Sequence, residues 1–221
     1  MPEQLSLFAE ENVTFNAGMQ QLLELDFSGC LETFERYRKS FPWARDVSFE
    51  IEIATFLHAR LANANWRTIN LQEAEEYRRI WEESQTTFGY PWNPDSIGDK
   101  LEARYFSMLV DGLHSGTCSE TIRFPDGTPV GLFYMLARRP REATRALEAS
   151  IRDKPDDAAT YGYLGDAYFL LGDTRRARVC YREAFTIEPL EVDLERIKDD
   201  ELKESLDLLG DDDEVGGNHI A

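Results

Sequence analysis

Residues 158–189 read AATYGYLGDAYFLLGDTRRARVCYREAFTIEP, and this stretch decides the fold. Tyr161, Leu164, Gly165 and Tyr168 recur three or four residues apart, which sets them along one side of a helix. Gly172-Asp173 then breaks the run. A second stripe follows at Ala177, Tyr181 and Ala184, and Pro189 ends it because proline has no N–H to continue the helical ladder. Two short amphipathic helices joined by a tight turn form an αα-hairpin. The small residues Gly165 and Ala177 let the two backbones approach, while Tyr161, Tyr168 and Tyr181 fill the space around them.

The order of these residues (an aromatic, Leu-Gly, Tyr, a turn Gly, Ala, an aromatic, Ala and a closing Pro) resembles the tetratricopeptide repeat, a helix-turn-helix unit with a period of about 34 residues. One period earlier, Pro189 maps onto Pro155, Ala177 onto Ala143, Tyr168 onto Tyr134 and Gly165 onto Gly131. Tyr181 maps onto Leu147 and Ala184 onto Ser150. The turn glycine becomes Arg138, and the slot of Tyr161 falls on Gly127. Thr128-Pro129 reads as a helix N-cap with proline at the first helical position, so the first helix of this earlier unit is expected to be short.

A further copy lies near the N-terminus, in NVTFNAGMQQLLELDFSGCLETFERYRKSFP (residues 12–42). Here Gly18, Cys30, Phe34, Tyr37 and Pro42 keep the mutual spacing of Gly165, Ala177, Tyr181, Ala184 and Pro189. Gln21 stands where the family has Tyr, and Tyr37 is large for its slot. Longer helices separate the copies. Residues 47–63 carry one stripe through Ile51, Thr55 and His58 and another through Ile53, Phe56, Leu57 and Leu61. Asn70 and Glu73 form a capping box opening a helix to about Phe88, and another helix runs through Leu101, Tyr105, Met108 and Leu109 to Leu113.

The expected architecture is therefore all-α: an array of antiparallel helix pairs with an inserted loop or short hairpin and a C-terminal capping helix. Residues 1–10 form a flexible segment. Residues 11–113 form a helical region with one degenerate pair, and residues 114–127 the insertion, which includes the extended run TIRF. Residues 128–209 form two repeat units plus the capping helix, which turns Leu194, Ile197, Leu202, Leu206 and Leu209 to the array. Residues 210–221 form a disordered acidic tail.

The balance of 42 acidic against 24 basic residues gives a formal charge of −18. This disfavours direct nucleic-acid binding and an anionic membrane surface, both of which need clustered cations. No apolar run approaches the ~20 residues that span a bilayer. Cys30, Cys118 and Cys180 are odd in number and widely spaced, which indicates neither a disulfide framework nor a zinc site. A reducing, cytoplasmic setting is expected. No cofactor motif is present, and the chain reads as a non-enzyme.

The resemblance implies a protein or peptide partner bound on the first-helix face. The groove positions would be Ala159, Gly162, Asp166, Phe169 and Leu170, preceded by Thr128, Leu132, Met135 and Leu136. Lys, Arg and Asn, which family members use to clamp a chaperone's terminal carboxylate, are missing there, so the groove suits a hydrophobic or helical segment. A separate motif, Gln4-Leu5-Ser6-Leu7-Phe8, resembles the short segment by which bacterial replication and repair proteins dock on the sliding clamp. Leu7 and Phe8 would be apolar anchors, with the Gln4 amide at the pocket rim. Alternatively, Leu5, Leu7 and Phe8 pack on the first helix pair. A third reading draws Asp111, His114 and Cys118 as orienter, base and nucleophile of a hydrolase or transferase, without the glycine context that usually supports one.

Overall fold

The structure, a computed structural model, describes residues 10–89, 97–115 and 123–206, the side chains of His114 and Ser115 excepted. It is all-helical. Among the described residues there is no β-strand, only an isolated antiparallel bridge between Arg123 and Pro129. No described helix is long and apolar enough to cross a membrane. The chain divides into two compact units, Met1–Thr117 and Cys118–Ala221, so the boundary falls inside the expected insertion.

The first unit contains α1 (Glu10–Leu23), α2 (Phe27–Ser40), α3 (Ser48–Leu61), α4 (Leu71–Phe88) and α5 (Ile97–Ser115). Each helix packs on the next, and α5 also returns to α1. The expected capping box opens α4: Asn70 accepts from the Glu73 N–H at 3.0 Å, and Glu73 accepts from the Asn70 N–H at 2.9 Å. On α3 it is the second stripe that is the core side, since Ile53, Leu57 and Leu61 are buried whereas Thr55 is exposed. Trp81, Tyr105 and Phe106 fill the space between α4 and α5. The Tyr105 hydroxyl, which has no water to bond, donates to the Tyr77 carbonyl at 2.7 Å.

The second unit contains α6 (Val130–Leu136), α7 (Pro140–Asp153), α8 (Ala158–Leu170), α9 (Thr174–Ile187) and a 3-10 turn at Pro189–Glu191. Consecutive helices pack on one another, and α6 also meets α8. As expected, α6 is short. It begins one residue later than the sequence suggests, with Pro129 rather than Thr128 at the cap. Thr128 is held in the preceding loop, where its N–H donates to Asp126 and its carbonyl accepts from Phe124.

Three hairpins, α1–α2, α6–α7 and α8–α9, are built to one plan. A glycine of the first helix faces a large side chain of the second in each case: Gly18 meets Phe34, Gly131 meets Leu147 and Gly165 meets Tyr181. A Cβ on these glycines would lie 2.8, 2.4 and 2.5 Å from those side chains, so only glycine permits the approach. Their turns match as well. Leu25, Arg138 and Gly172 occupy equivalent positions and take φ of 60°, 59° and 80°. The same two backbone bonds close each turn: Leu25 to Leu22 and Asp26 to Gln21, Arg138 to Met135 and Arg139 to Tyr134, and Gly172 to Phe169 and Asp173 to Tyr168. A left-handed residue followed by this bond pair satisfies the last carbonyls of a helix. Asp26 and Asp173 then cap the following helices by accepting from Gly29 and Arg176.

The expected capping helix over 193–209 needs correction. Residues 192–199 are not helical, Leu194 is half exposed, and helix resumes only at 200–206. The cause lies in the Lys198 N–H, which a helix would commit to the carbonyl four residues earlier. Instead it donates to the buried Asp166 carboxylate at 3.0 Å. Asp199 then accepts from the Leu202 N–H at 3.2 Å and starts the final helix. Residues 207–209, like the acidic tail, lie outside the described residues.

Candidate functional site

The first-helix face of α8 carries the residues expected to line a groove. Gly162 leaves a seat with no side chain, and the Val192 methyl fills it, 3.7 Å from where a Cβ would stand. Val192 and Ile197 are both buried. Asp166, expected to face a partner's cation, is only 4% exposed. One of its oxygens accepts from the Tyr181 hydroxyl at 2.7 Å and from the Lys198 N–H. Burial raises its carboxyl to about 6, and these two donors, with Lys198 and Arg196 nearby, restrain the rise. The Tyr181 hydroxyl is pushed up in turn, by its own burial and then by the Asp166 charge.

Asp199 anchors the far end of this segment. Its buried carboxylate accepts from Arg178 Nε at 2.9 Å, and this bond holds the carboxyl below its ordinary value despite burial. Arg178 also reaches Glu201 at 2.6 Å. The expected groove at Asp166 is thus occupied by the chain's own residues 192–199. Asp166 is a structural acceptor here and not an open contact, which corrects its place among the binding residues.

Other expected groove residues remain accessible. Phe169, Leu132 and Met135 are half-buried. Leu170 is 45% exposed, and Leu171 and Val179 are exposed as well. A cleft of about 520 Å³ opens between α8 and α9, lined by Leu164, Tyr168, Val179 and Cys180 with Asp173, Arg175 and Arg176, and none of the expected groove residues lines it. Arg176 lies over the Tyr168 ring at 5.3 Å, and the Tyr168 hydroxyl donates to Glu148. Gln4, Leu5, Leu7 and Phe8 lie outside the described residues.

The start of the second unit is fixed by Arg123, a residue that sequence reading did not single out. Its guanidinium pairs with Asp157 and donates to the carbonyls of Gly127 at 3.0 Å and Ser150 at 3.2 Å. Asp157 meanwhile caps α8 through the Thr160 N–H. Phe124 stacks on Phe133 with ring centroids 4.4 Å apart. The described part of the insertion is therefore packed onto the hairpins, not loose.

As to the chemical reading, Cys118 lies outside the described residues, as does the His114 side chain. The other two thiols are buried, and desolvation raises Cys30 to about 12 and Cys180 to about 11, so both stay protonated at neutral pH. Among the described residues no cluster of His, Cys, Asp and Glu could hold a metal ion. The structure also exposes Trp43 at 75%, in a region read from sequence only as the end of a hairpin. Four cations with no acid between Arg36 and Arg45 were the available signal.

Comparison with models of known protein families and with curated proteins gives no match.

Proposed function

We propose that the chain is a non-catalytic protein-interaction scaffold of the tetratricopeptide type, acting in the cytoplasm. The observation that carries this reading is the common plan of the three hairpins. A glycine against a large side chain and a left-handed turn recur at positions one repeat apart, Gly131 and Gly165, and again at Gly18. Such units cannot bury their apolar sides singly; stacked, they present rigid surfaces on which partners dock. The two buried free thiols, Cys30 and Cys180, suit a reducing compartment. The partner is a protein or peptide, and its contacts include Leu132, Met135, Phe169 and Leu170. Cross-linking from a photoreactive residue placed at Leu170 tests this: a discrete protein adduct from the native host supports the reading, and its absence from both Leu170 and Met135 counts against it.

A second reading rests on the Gln4–Phe8 motif. It makes the chain an adaptor that docks on a bacterial sliding clamp, six residues before α1 begins if counted from Gln4. Binding of the intact chain to a purified clamp, lost on deletion of residues 1–9, is the expected result. Undetectable binding by the intact chain refutes it.

A further inference from the structure

Residues 192–199 lie across the first-helix face of α8 without forming a helix themselves, and the residues beneath them do not follow from repeat packing alone. One period earlier the slots of Gly162, Asp166 and Tyr181 hold Thr128, Leu132 and Leu147. A pair of leucines in place of Asp166 and Tyr181 would serve a hairpin, and it would avoid the cost of desolvating a carboxylate. What Asp166 adds is an acceptor for a backbone N–H from outside the hairpin, that of Lys198 at 3.0 Å. What Gly162 adds is a seat for an aliphatic side chain, taken by the Val192 methyl.

The covering segment is also built as a separable piece. Its middle is a turn, residues 193–196, closed by the Arg196 N–H on the Asp193 carbonyl at 3.2 Å and braced by Arg196 Nε on the Asp193 carboxylate at 2.9 Å. These closing bonds are internal to the turn, and Asp193, Leu194 and Glu195 are exposed. Attachment to the α8–α9 hairpin rests on Val192 and Ile197, both buried, on the Lys198 N–H, and on the Asp199 carboxylate, which accepts from Arg178 Nε at 2.9 Å. A surface segment held by two aliphatic side chains and a few polar bonds belongs to the low-stability end of a fold, where local opening takes less free energy than unfolding.

We propose that residues 192–199 are a releasable strap over a binding seat on α8, and that a partner segment of the same pattern displaces them. The pattern is an aliphatic residue for Gly162, a short turn, a second aliphatic residue five positions on, and then a basic residue whose N–H reaches Asp166. The assignment deepens the scaffold reading and rests on it in taking a protein as the occupant. The seat itself selects among segments. The buried Asp166 carboxylate requires a donor, so a proline or an acidic residue in the place of Lys198 is refused. With the strap closed, Asp166 is inaccessible. A partner therefore competes with the chain's own segment, which is present at an effective concentration on the order of millimolar, and binds weakly until the strap is loosened.

The test uses the full chain and a fluorescent synthetic peptide with the sequence of residues 191–200, followed by fluorescence polarisation. The unaltered chain should bind it about tenfold more weakly, or worse, than the Val192→Ser/Ile197→Ser variant, whose own strap has lost its anchors. Adding Gly162→Leu to that variant fills the seat and should abolish the gain. An unchanged helical circular dichroism spectrum checks that the fold is intact. Peptide binding no tighter to the strap variant than to the unaltered chain, or binding that survives Gly162→Leu, overturns the assignment. Hydrogen exchange on the unaltered chain needs no variant: the Lys198 amide should exchange about tenfold faster, or more, than the Ala167 and Tyr168 amides of α8. Equal rates would mean that the strap opens only when the unit unfolds, and they overturn it as well. Those outcomes leave the cross-links from Leu170 and Met135 unaffected, whereas absence of the cross-links beside a strap that opens would refute the scaffold reading instead.

Discussion

Replacing Gly165 by alanine should destabilise the second unit relative to the same change at Gly162, three residues earlier on the same helix. Both substitutions remove a helical glycine, and each gains about 1 kcal/mol of helix propensity. They differ in what the new methyl meets. At Gly162 the nearest atom is the Val192 methyl at 3.7 Å, an ordinary contact, so the propensity gain survives. At Gly165 the methyl would stand 2.5 Å from the Tyr181 ring. That ring cannot retreat, because it is 1% exposed and its hydroxyl is bonded to Asp166. Overpacking of this kind costs about 1–3 kcal/mol. The Gly165 variant should therefore be less stable than the Gly162 variant by about 1–3 kcal/mol. Urea denaturation followed by circular dichroism reads this as separated midpoints with similar slopes. Equal midpoints, or a more stable Gly165→Ala, would refute the packing proposed for the hairpin.

Three further outcomes follow from the structure. Leu25→Gly and Arg138→Gly relieve left-handed backbone, so each should raise stability by about 1 kcal/mol, and Gly172→Ala should lower it by a similar amount, as measured by the same denaturation. Asp166 binds its proton more tightly folded, at about 6, than at its ordinary value of 3.8, so its stabilising contribution is complete below about 4 and lost as pH rises through about 6. Asp166→Asn keeps the acceptor for Tyr181 and Lys198 but cannot ionise. It should flatten that part of the stability–pH profile and gain on the order of 2–3 kcal/mol at pH values near 7.5. Arg123→Ala leaves the Asp157 carboxylate with the Thr160 N–H and a distant Lys154 at 4.0 Å, and a thermal melt should show a loss of roughly 3 kcal/mol; a loss under about 1 kcal/mol would show that the pair does not hold α8 to the preceding loop.

Much of this architecture could be read from residues 158–189, where glycine, alanine and tyrosine stand at the positions that the packing demands. The turns at Leu25 and Arg138 were legible only through the period. Neither residue favours a left-handed conformation, and tertiary packing imposes it. The segment after Pro189 misled for a different reason. Its spacing of Leu and Ile suits a helix, but the buried Asp166 carboxylate on α8 claims the Lys198 N–H. Periodicity identifies which side of α8 is apolar; it carries no information about which later residues fold back to cover it. Asp166 illustrates this, since it was expected to face a partner and is only 4% exposed. The exposure of Trp43 has no periodic signal, because the residue lies between a hairpin and a helix.

The central claim is that three hairpins of this chain share one repeat plan. A nuclear Overhauser spectrum of the full chain, labelled at glycine, phenylalanine, leucine and tyrosine, tests it most directly. The account predicts cross-peaks from the Gly18, Gly131 and Gly165 α-protons to the side chains of Phe34, Leu147 and Tyr181, respectively. Cross-peaks for Gly165 but none for Gly18 and Gly131 would contradict it, leaving one repeat-like hairpin in an otherwise unrelated helical fold.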